Sequence, residues 1–511
     1  MKLRKLIKFL FSRNSLIVLI LLLQIVFFVT TILLLSEHFL FVYLFLMLLD
    51  TVLIVYITNT SENPSYKLPW IMAMLVFPLF SGLAYVLIKT DLGHRIFKKN
   101  YADKMSETKS CLPQDPHILQ LLCEQNKSHY NLSNYLLLHG GYPVYHNCTA
   151  EYFSDGEQMF LAMKREISQA KRYIFLEFFI ISKGQMWDET LSLLKEKAAE
   201  GVDVRLFYDG FGTQLQMPHK YFQELEQYGI HCKVFNGFKP FLSNSQNNRD
   251  HRKILVIDGQ TAFTGGINLA DEYINKIERF GHWKDGGMLC RGDAAWSFTV
   301  MFLQLWELNR KDTGSINEYR PATRPPANFD GYIQPYSDSP TDNEYVGKSV
   351  YMDIINNAKD YVYIMTPYLI LDHEMITALG LAAKKGVDVR LILPHIPDKW
   401  YAYSTAWSYY RELLEANVRI YEYTPGFVHA KNFVSDDEIC VVGTINLDYR
   451  SLYLHFECAA VMYGCSIARE MHQDFSDTLC KCTEITIDDC LKRPLHKRIV
   501  SWVLRIFAPL L

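Results

Sequence analysis

The polarity of the chain changes character once, near residue 100. Before that point apolar residues form three long runs, 15–36, 39–58 and 68–88, each about the length of one helical crossing of a bilayer. Asp50 interrupts the second run; a carboxylate is costly at bilayer depth, so it should face another helix or mark a run that does not cross fully. Pro69 and Pro78 predict a kink in the third. A basic tail (Lys2, Arg4, Lys5, Lys8, Arg13) precedes the runs, and Lys89, Arg95, Lys98 and Lys99 follow them. Three full crossings would put these two clusters on opposite faces, against the usual bias of basic flanks to the cytoplasm. Either one run is a re-entrant or interfacial hairpin, or one cluster lies outside. The first run is too long for a secretory signal and lacks a small-residue cleavage site. A membrane region over 1–100 is therefore expected.

From about residue 111 the pattern is that of a soluble protein, and it occurs twice. Stretches 170–177 and 358–365 are rich in β-branched and aromatic residues and read as strands. Helical periodicity follows at 189–200 and 374–385. The pentapeptide Gly-Val-Asp-Val-Arg then opens another strand at 201–205 and again at 386–390. Strand–helix–strand alternation predicts an α/β fold with a largely parallel sheet in each half. The boundaries read as a first lobe over 111–311, a Pro-, Asn- and Ser-rich linker over 312–343, and a second lobe over 344–490. A closing segment, 491–511, mixes Lys492, Arg493, Lys497, Arg498 and Arg505 with Trp502, Leu504, Ile506 and Phe507. It suits an anionic lipid surface and equally a helix packed on the second lobe.

The duplication carries the chemistry. Arg249-Asp250-His251-Arg252-Lys253 leads an apolar run to Asp258, and His429-Ala430-Lys431 leads another to Asp436. On a strand, His and Lys two apart share a face, while the residue between them points away. Gly265-Gly266-Ile267-Asn268 follows the first copy and Gly443-Thr444-Ile445-Asn446 the second. His251 to His429 and Asn268 to Asn446 both span 178 residues. Isolated histidines such as His282 and His455 read as ordinary surface or core residues.

Composition narrows the field. The net charge of −3 disfavours a nucleic-acid binder, which would carry a basic excess. The eleven cysteines are scattered without a C-x-x-C pair, which fits free thiols in a reducing compartment. With the basic segment after residue 88, this places the catalytic region in the cytoplasm.

Imidazole can attack phosphorus or move a proton near neutral pH. Lys and Asn are fixed donors for a phosphate's nonbridging oxygens. His251, Lys253 and Asn268 with His429, Lys431 and Asn446 suit one phosphodiester held between two halves, one His attacking while the other protonates the leaving alcohol. The lysines supply the positive charge, so neither metal nor cofactor is expected. Asp258 and Asp436 read as structural, pinning the turn after each motif strand. Glu177, on an apolar strand where a lone carboxylate is costly, is a candidate to line the site or to bond a backbone donor.

The paired motifs resemble the HKD motifs of the phospholipase D superfamily. Asp271-Glu272-Tyr273, the run from Leu447 through Asp448, Tyr449 and Arg450 to Ser451, Phe456-Glu457 and the N-terminal Glu62-Asn63-Pro64 extend the resemblance to the bacterial cardiolipin synthases. That resemblance implies two α/β lobes sharing one site, a multi-pass location in a bacterial cell membrane, and conversion of two phosphatidylglycerols to cardiolipin and glycerol. It implies that Asp285 and Glu457 orient the two histidines and that His251 is the nucleophile. The chain has three N-terminal apolar runs where two are common in the family. The alternatives are a hydrolase of the same superfamily, acting on phospholipid or nucleic acid, another phosphatidyltransferase of that superfamily, and a non-catalytic scaffold. Charge and membrane runs disfavour the nuclease, and the intact motifs disfavour the scaffold.

Overall fold

The computed structural model of the chain describes residues 39–77, 80–89, 92–213, 216–218, 220–237, 247–308, 316–321 and 330–510, with Val26 and Thr30. These fall into two compact units. One holds the described parts of Met1–Phe97, Phe238–Asn247 and Ile506–Leu511, the other those of Lys98–Gly237 and Asn248–Arg505.

In the first unit three helices pack together: α1 (Phe39–Thr58), α2 (Pro64–Val76) and α3 (Phe80–Lys89). Ile57, Met74 and Tyr85 form their small core. Asn63 caps α2 by accepting the Ser65 N–H at 2.8 Å, and Lys67 ties down the preceding turn through the Thr58 and Thr60 carbonyls. Asp50 is buried facing Gly82, where an added Cβ would come within 2.7 Å of its Oδ1. Run 15–36 lies outside the described residues apart from Val26 and Thr30. The third run is not one span: α2 ends at Val76 and α3 starts at Phe80, giving helices of 13 and 10 residues. Among the described residues no helix is long and apolar enough to cross a membrane, so the expected multi-pass arrangement is not supported there.

The second unit contains both lobes. The strands of the first are β1 (Cys148–Phe153), β2 (Tyr173–Phe178), β3 (Asp203–Asp209), β4 (Ile230–Phe235), β5 (Arg249–Asp250), β6 (Ile254–Ile257), β7 (Thr261–Gly265), β8 (His282–Lys284) and β9 (Gly287–Gly292). Those of the second begin with β10 (Tyr332–Asp338), β11 (Tyr361–Met365), β12 (Leu369–Ile370), β13 (Asp388–Pro394) and β14 (Arg419–Tyr423). They continue with β15 (Gly426–Val428), β16 (Asn432–Ser435), β17 (Ile439–Gly443), β18 (Leu447–Asp448), β19 (His455–Tyr463) and β20 (Cys482–Ile485). One sheet has the order β1-β9-β7-β6-β2-β3-β4 and the other β10-β19-β17-β16-β11-β13-β14-β20. Apart from β20 the orders correspond strand for strand, so the duplication is one of structure.

Two expectations need correction. The sheets are mixed, since along the two strand orders just given only β2–β3–β4 and β11–β13–β14 run parallel. Each motif strand instead turns straight back on its successor, β6 on β7 and β16 on β17, through three residues. That link is far too short for a helical crossover, so the pairing is antiparallel. The segment read as a linker also contains β10, which pairs with β19 along its whole length.

Helix α4 (Ala294–Trp306) is buried on every side, packed on β2, β6, β7 and β9 of the first sheet and on β10 of the second. Its sequence carries no charge, as burial all round requires. Each Phe, Leu or Met it hides stabilises the fold by roughly 1.5–3 kcal/mol.

Candidate active site

Each motif histidine is held by the other half of the chain. The short strand β5, just ahead of His251, pairs in parallel with the start of β19, opposing His455 and Phe456. The His251 N–H then donates to the Phe456 carbonyl at 2.9 Å. In the reciprocal arrangement β15, just ahead of His429, pairs in parallel with β8, and the His429 N–H donates to the Lys284 carbonyl at 2.7 Å. The residues after these two carbonyls are Glu457 and Asp285. The exchange therefore delivers a carboxylate from one half to the histidine of the other.

The side chains complete that contact. His251 Nδ1 is 2.8 and 3.0 Å from the two Glu457 oxygens, and His429 Nδ1 is 2.8 Å from Asp285 Oδ2. Both carboxylates are fully buried. Each engages Nδ1 and leaves Nε2 of its imidazole to face a reactant. Lys253 Nζ donates to the His251 carbonyl at 2.8 Å, and Lys431 Nζ donates to the His429 carbonyl. Asn268 accepts the Ile180 N–H at 3.0 Å and donates to the Tyr273 hydroxyl at 2.7 Å. Asn446 is also buried, and among the described residues its Oδ1 has no hydrogen-bond partner.

Asp258 and Asp436 are away from this cluster. Asp258 accepts the backbone N–H groups of Lys171, Arg172 and Tyr173 at 2.8–2.9 Å, and Asp436 those of Lys359, Asp360 and Tyr361 at the same distances. Arg252 points to the opposite face of its strand from His251 and Lys253. It bonds Glu177 Oε1 through Nε at 2.7 Å, reaches the Met301 carbonyl at 3.3 Å and lies near Asp250. Glu177 therefore does not line the site. It balances a buried guanidinium, as a carboxylate at zero exposure must.

The site is buried and crowded with cationic groups. Burial, then the Lys253 and Lys431 charges, push His251 well below its ordinary pKa. Burial and Lys431 bring His429 down to about 4, although Asp285 pulls the other way. Burial lowers Lys253 to about 8 and Lys431 to about 7. The reciprocal strand pairs and dyads draw the two motifs together, and Lys431 and His429 add to the depression of His251. Such a desolvated cluster favours an anion that restores the missing negative charge.

Three neighbours escaped the sequence reading. His455 is half-buried, with its ring 5.6 Å from that of His251, and loss of hydration lowers it to about 3. Trp283 holds the matching position, 5.1 Å from the His429 ring, and its indole N–H donates to Asp285 at 3.2 Å. Thr444 donates its hydroxyl to Glu457. His455 and Trp283 stand two residues before the orienting carboxylates, a same-face spacing that could have flagged them. Among the described residues His251, His455 and Glu457 alone have donor atoms clustered, within 4.8 Å, as a metal would need. His251 and Glu457 are already engaged with each other, so no metal is assigned.

Comparison with known proteins places the chain. The family described as cardiolipin synthase, PLD-like domain, matches residues 163–278 and 351–479, and one described as phospholipase D-nuclease N-terminal matches 48–89. An uncharacterized protein of Streptococcus mutans serotype c is 46% identical, over 90% of this chain and 99% of that one. Cardiolipin synthase 2 of Bacillus anthracis is 33% identical, over 88% of each chain. Among solved structures, phosphatidylserine synthase of Haemophilus influenzae aligns with 75% of this chain and 97% of its own, at TM-score 0.56 and 14% identity, a likeness of fold alone. One His–Lys–Asp motif in each matched segment, and relatives that align over most of both lengths, show that this chain belongs to the bacterial cardiolipin synthases, phosphatidyltransferases of the phospholipase D superfamily.

Proposed function

We propose that the protein moves a phosphatidyl group from one phosphatidylglycerol to a hydroxyl of a second, giving cardiolipin and glycerol through a phosphohistidine. The observation that carries this reading is the reciprocal pairing of His251 with Glu457 and His429 with Asp285 beside two buried lysines. His251 Nε2 attacks phosphorus while Glu457 holds its Nδ1–H. The bond to glycerol breaks, and His429 gives the leaving oxygen its proton. The hydroxyl of the second phosphatidylglycerol then returns a proton to His429 and attacks phosphorus, and His251 leaves. Two displacements retain configuration at phosphorus. Lys253, Lys431 and the two asparagines bind the nonbridging oxygens throughout.

Burial and then both lysine charges hold His251 neutral, as a nucleophile must be; burial and the same lysines also lower His429, and there Asp285 pulls back toward the imidazolium needed in an acid. The diester's own negative charge raises His429 above its free-enzyme value.

Membrane attachment falls to the N-terminal helical unit, where α1 exposes Phe41, Leu44, Phe45, Leu48 and Val52. The catalytic unit belongs on the cytoplasmic side, a placement supported by eleven cysteines that are all unpaired.

The test uses purified protein in phosphatidylglycerol vesicles. Cardiolipin and glycerol should form in equal amounts, and excess glycerol should reverse the reaction. A product dominated by phosphatidic acid would make the protein a hydrolase. With an activated phosphatidyl donor, His429→Ala should trap an adduct on His251; an adduct on His429 in the His251→Ala variant would reverse the assignment.

A further inference from the structure

The last helix of the catalytic unit is turned inside out. Helix α6 (Leu495–Ile506) meets α5 (Trp400–Glu415) through Arg505 on its polar side. Ser501 is 2% exposed and accepts from Arg493 Nη1 at 2.8 Å. Arg505 donates to the Ser408 carbonyl at 2.9 Å and pairs with Glu412 at 2.7 Å. The opposite side is apolar and open: Leu495 is 64% exposed, Trp502 52%, Val503 49% and Ile499 46%. A surface helix in water does the reverse, burying its apolar stripe.

We infer that α6 docks on the surface of a bilayer carrying anionic headgroups. Lys497 and Arg498 fall on the two edges of the apolar stripe, where long basic side chains can reach lipid phosphates while the stripe enters the acyl boundary. Trp502, with Arg498 5.4 Å above its ring, has the amphipathic character of a headgroup-level anchor. Behind the helix Arg411, Arg493, Arg498 and Arg505 line a cleft of about 230 Å³ with Glu412 and Glu415, which pair with Arg505 and Arg411 and leave Arg493 and Arg498 as its uncompensated charges. The chain also continues from α6 into Ala508–Leu510, which packs on α2 of the apolar helical unit. The choice of an anionic bilayer rests on the phospholipid reading above; the inverted helix itself does not. Docking there would hold the catalytic unit against the surface that carries its substrate.

The test places p-benzoylphenylalanine at Ile499 of the full chain in vesicles of equal phosphatidylcholine and phosphatidylglycerol. Irradiation should add a phospholipid mass to the peptide containing position 499, as it should for the same label at Leu44 in α1. The phosphatidylglycerol adduct should predominate, and K497Q/R498Q should cut that excess about fivefold. Crosslinks into a second copy, or into the same chain, would overturn the inference. So would a lipid adduct at 44 with none at 499, or equal yields from the two lipids. Because the readout is contact and not turnover, a chain that crosslinks yet forms only phosphatidic acid loses the transferase reading and keeps this one.

Discussion

At the scale of residues, the two dyads are alike in geometry and unlike in chemistry. Glu457 shares its charge with the Thr444 hydroxyl and lies beside His455, whereas Asp285 is bonded by the Gly286 N–H at 2.9 Å and the Trp283 indole. Gly266 occupies the position of Thr444 because a Cβ there would come within 1.9 Å of Asp285 Oδ1. The difference between Gly266 and Thr444 is visible in the sequence, but its meaning depends on which carboxylate each one meets. The same crowding makes a pH prediction. In the proposed mechanism protonated Lys431 and Lys253 hold the diester, and their values of about 7 and about 8 lie inside the assay range. As pH rises past each, charge is lost, so kcat/KM for phosphatidylglycerol should fall between about pH 7 and 9, with apparent values belonging to the cluster as a whole. Initial rates at constant ionic strength check this, and a kcat/KM still rising at pH 9 would remove the lysines from substrate binding.

At the scale of elements, the motif strands show how far alternation carries. It placed Arg252 on the face away from His251 and Lys253, and that is where the guanidinium lies. It did not reveal that Glu177 waits there, because pairing β2 with β6 is a matter of sheet order. Asp258 and Asp436 each close a turn at positive φ, 53° and 56°, and each accepts three N–H groups at the entrance of the neighbouring strand. Replacing Asp436 with Ala strands those donors and strains the backbone, and should cost about 2–3 kcal/mol in urea unfolding. Asp436→Asn tolerates the turn and keeps one acceptor, so it should cost roughly half as much. Turnover per folded molecule should be nearly unchanged in both. Unaltered stability with lost turnover would instead put Asp436 in contact with substrate.

At the scale of the whole molecule, the halves are interlocked rather than merely apposed. β5 joins the sheet of the second half, β15 pairs with β8 of the first, and α4 is buried between them. This explains why both lobes form one compact unit and why neither histidine is oriented by its own half. The proposed cytoplasmic placement is testable on one native side chain, because Cys480 is the exposed member of the unpaired set. A membrane-impermeant maleimide should leave Cys480 unmodified in intact cells and label it after permeabilisation, with Cys480→Ser as control. Labelling without permeabilisation would place the catalytic unit outside.

The sequence by itself determined the duplication, the motif residues, the mixed helix-and-strand composition and the family, because a repeat with matched spacing needs no knowledge of neighbours. Tertiary structure decided what faces what. It decided that the sheets are mixed, that the third apolar run is two helices, that Glu177 serves Arg252, and that the polar side of α6 is the buried one. It also decided that each carboxylate serves the histidine of the other half. The physical reason is common to all: periodicity says which residues share a face, while the partner of that face comes from chain segments tens to hundreds of residues away.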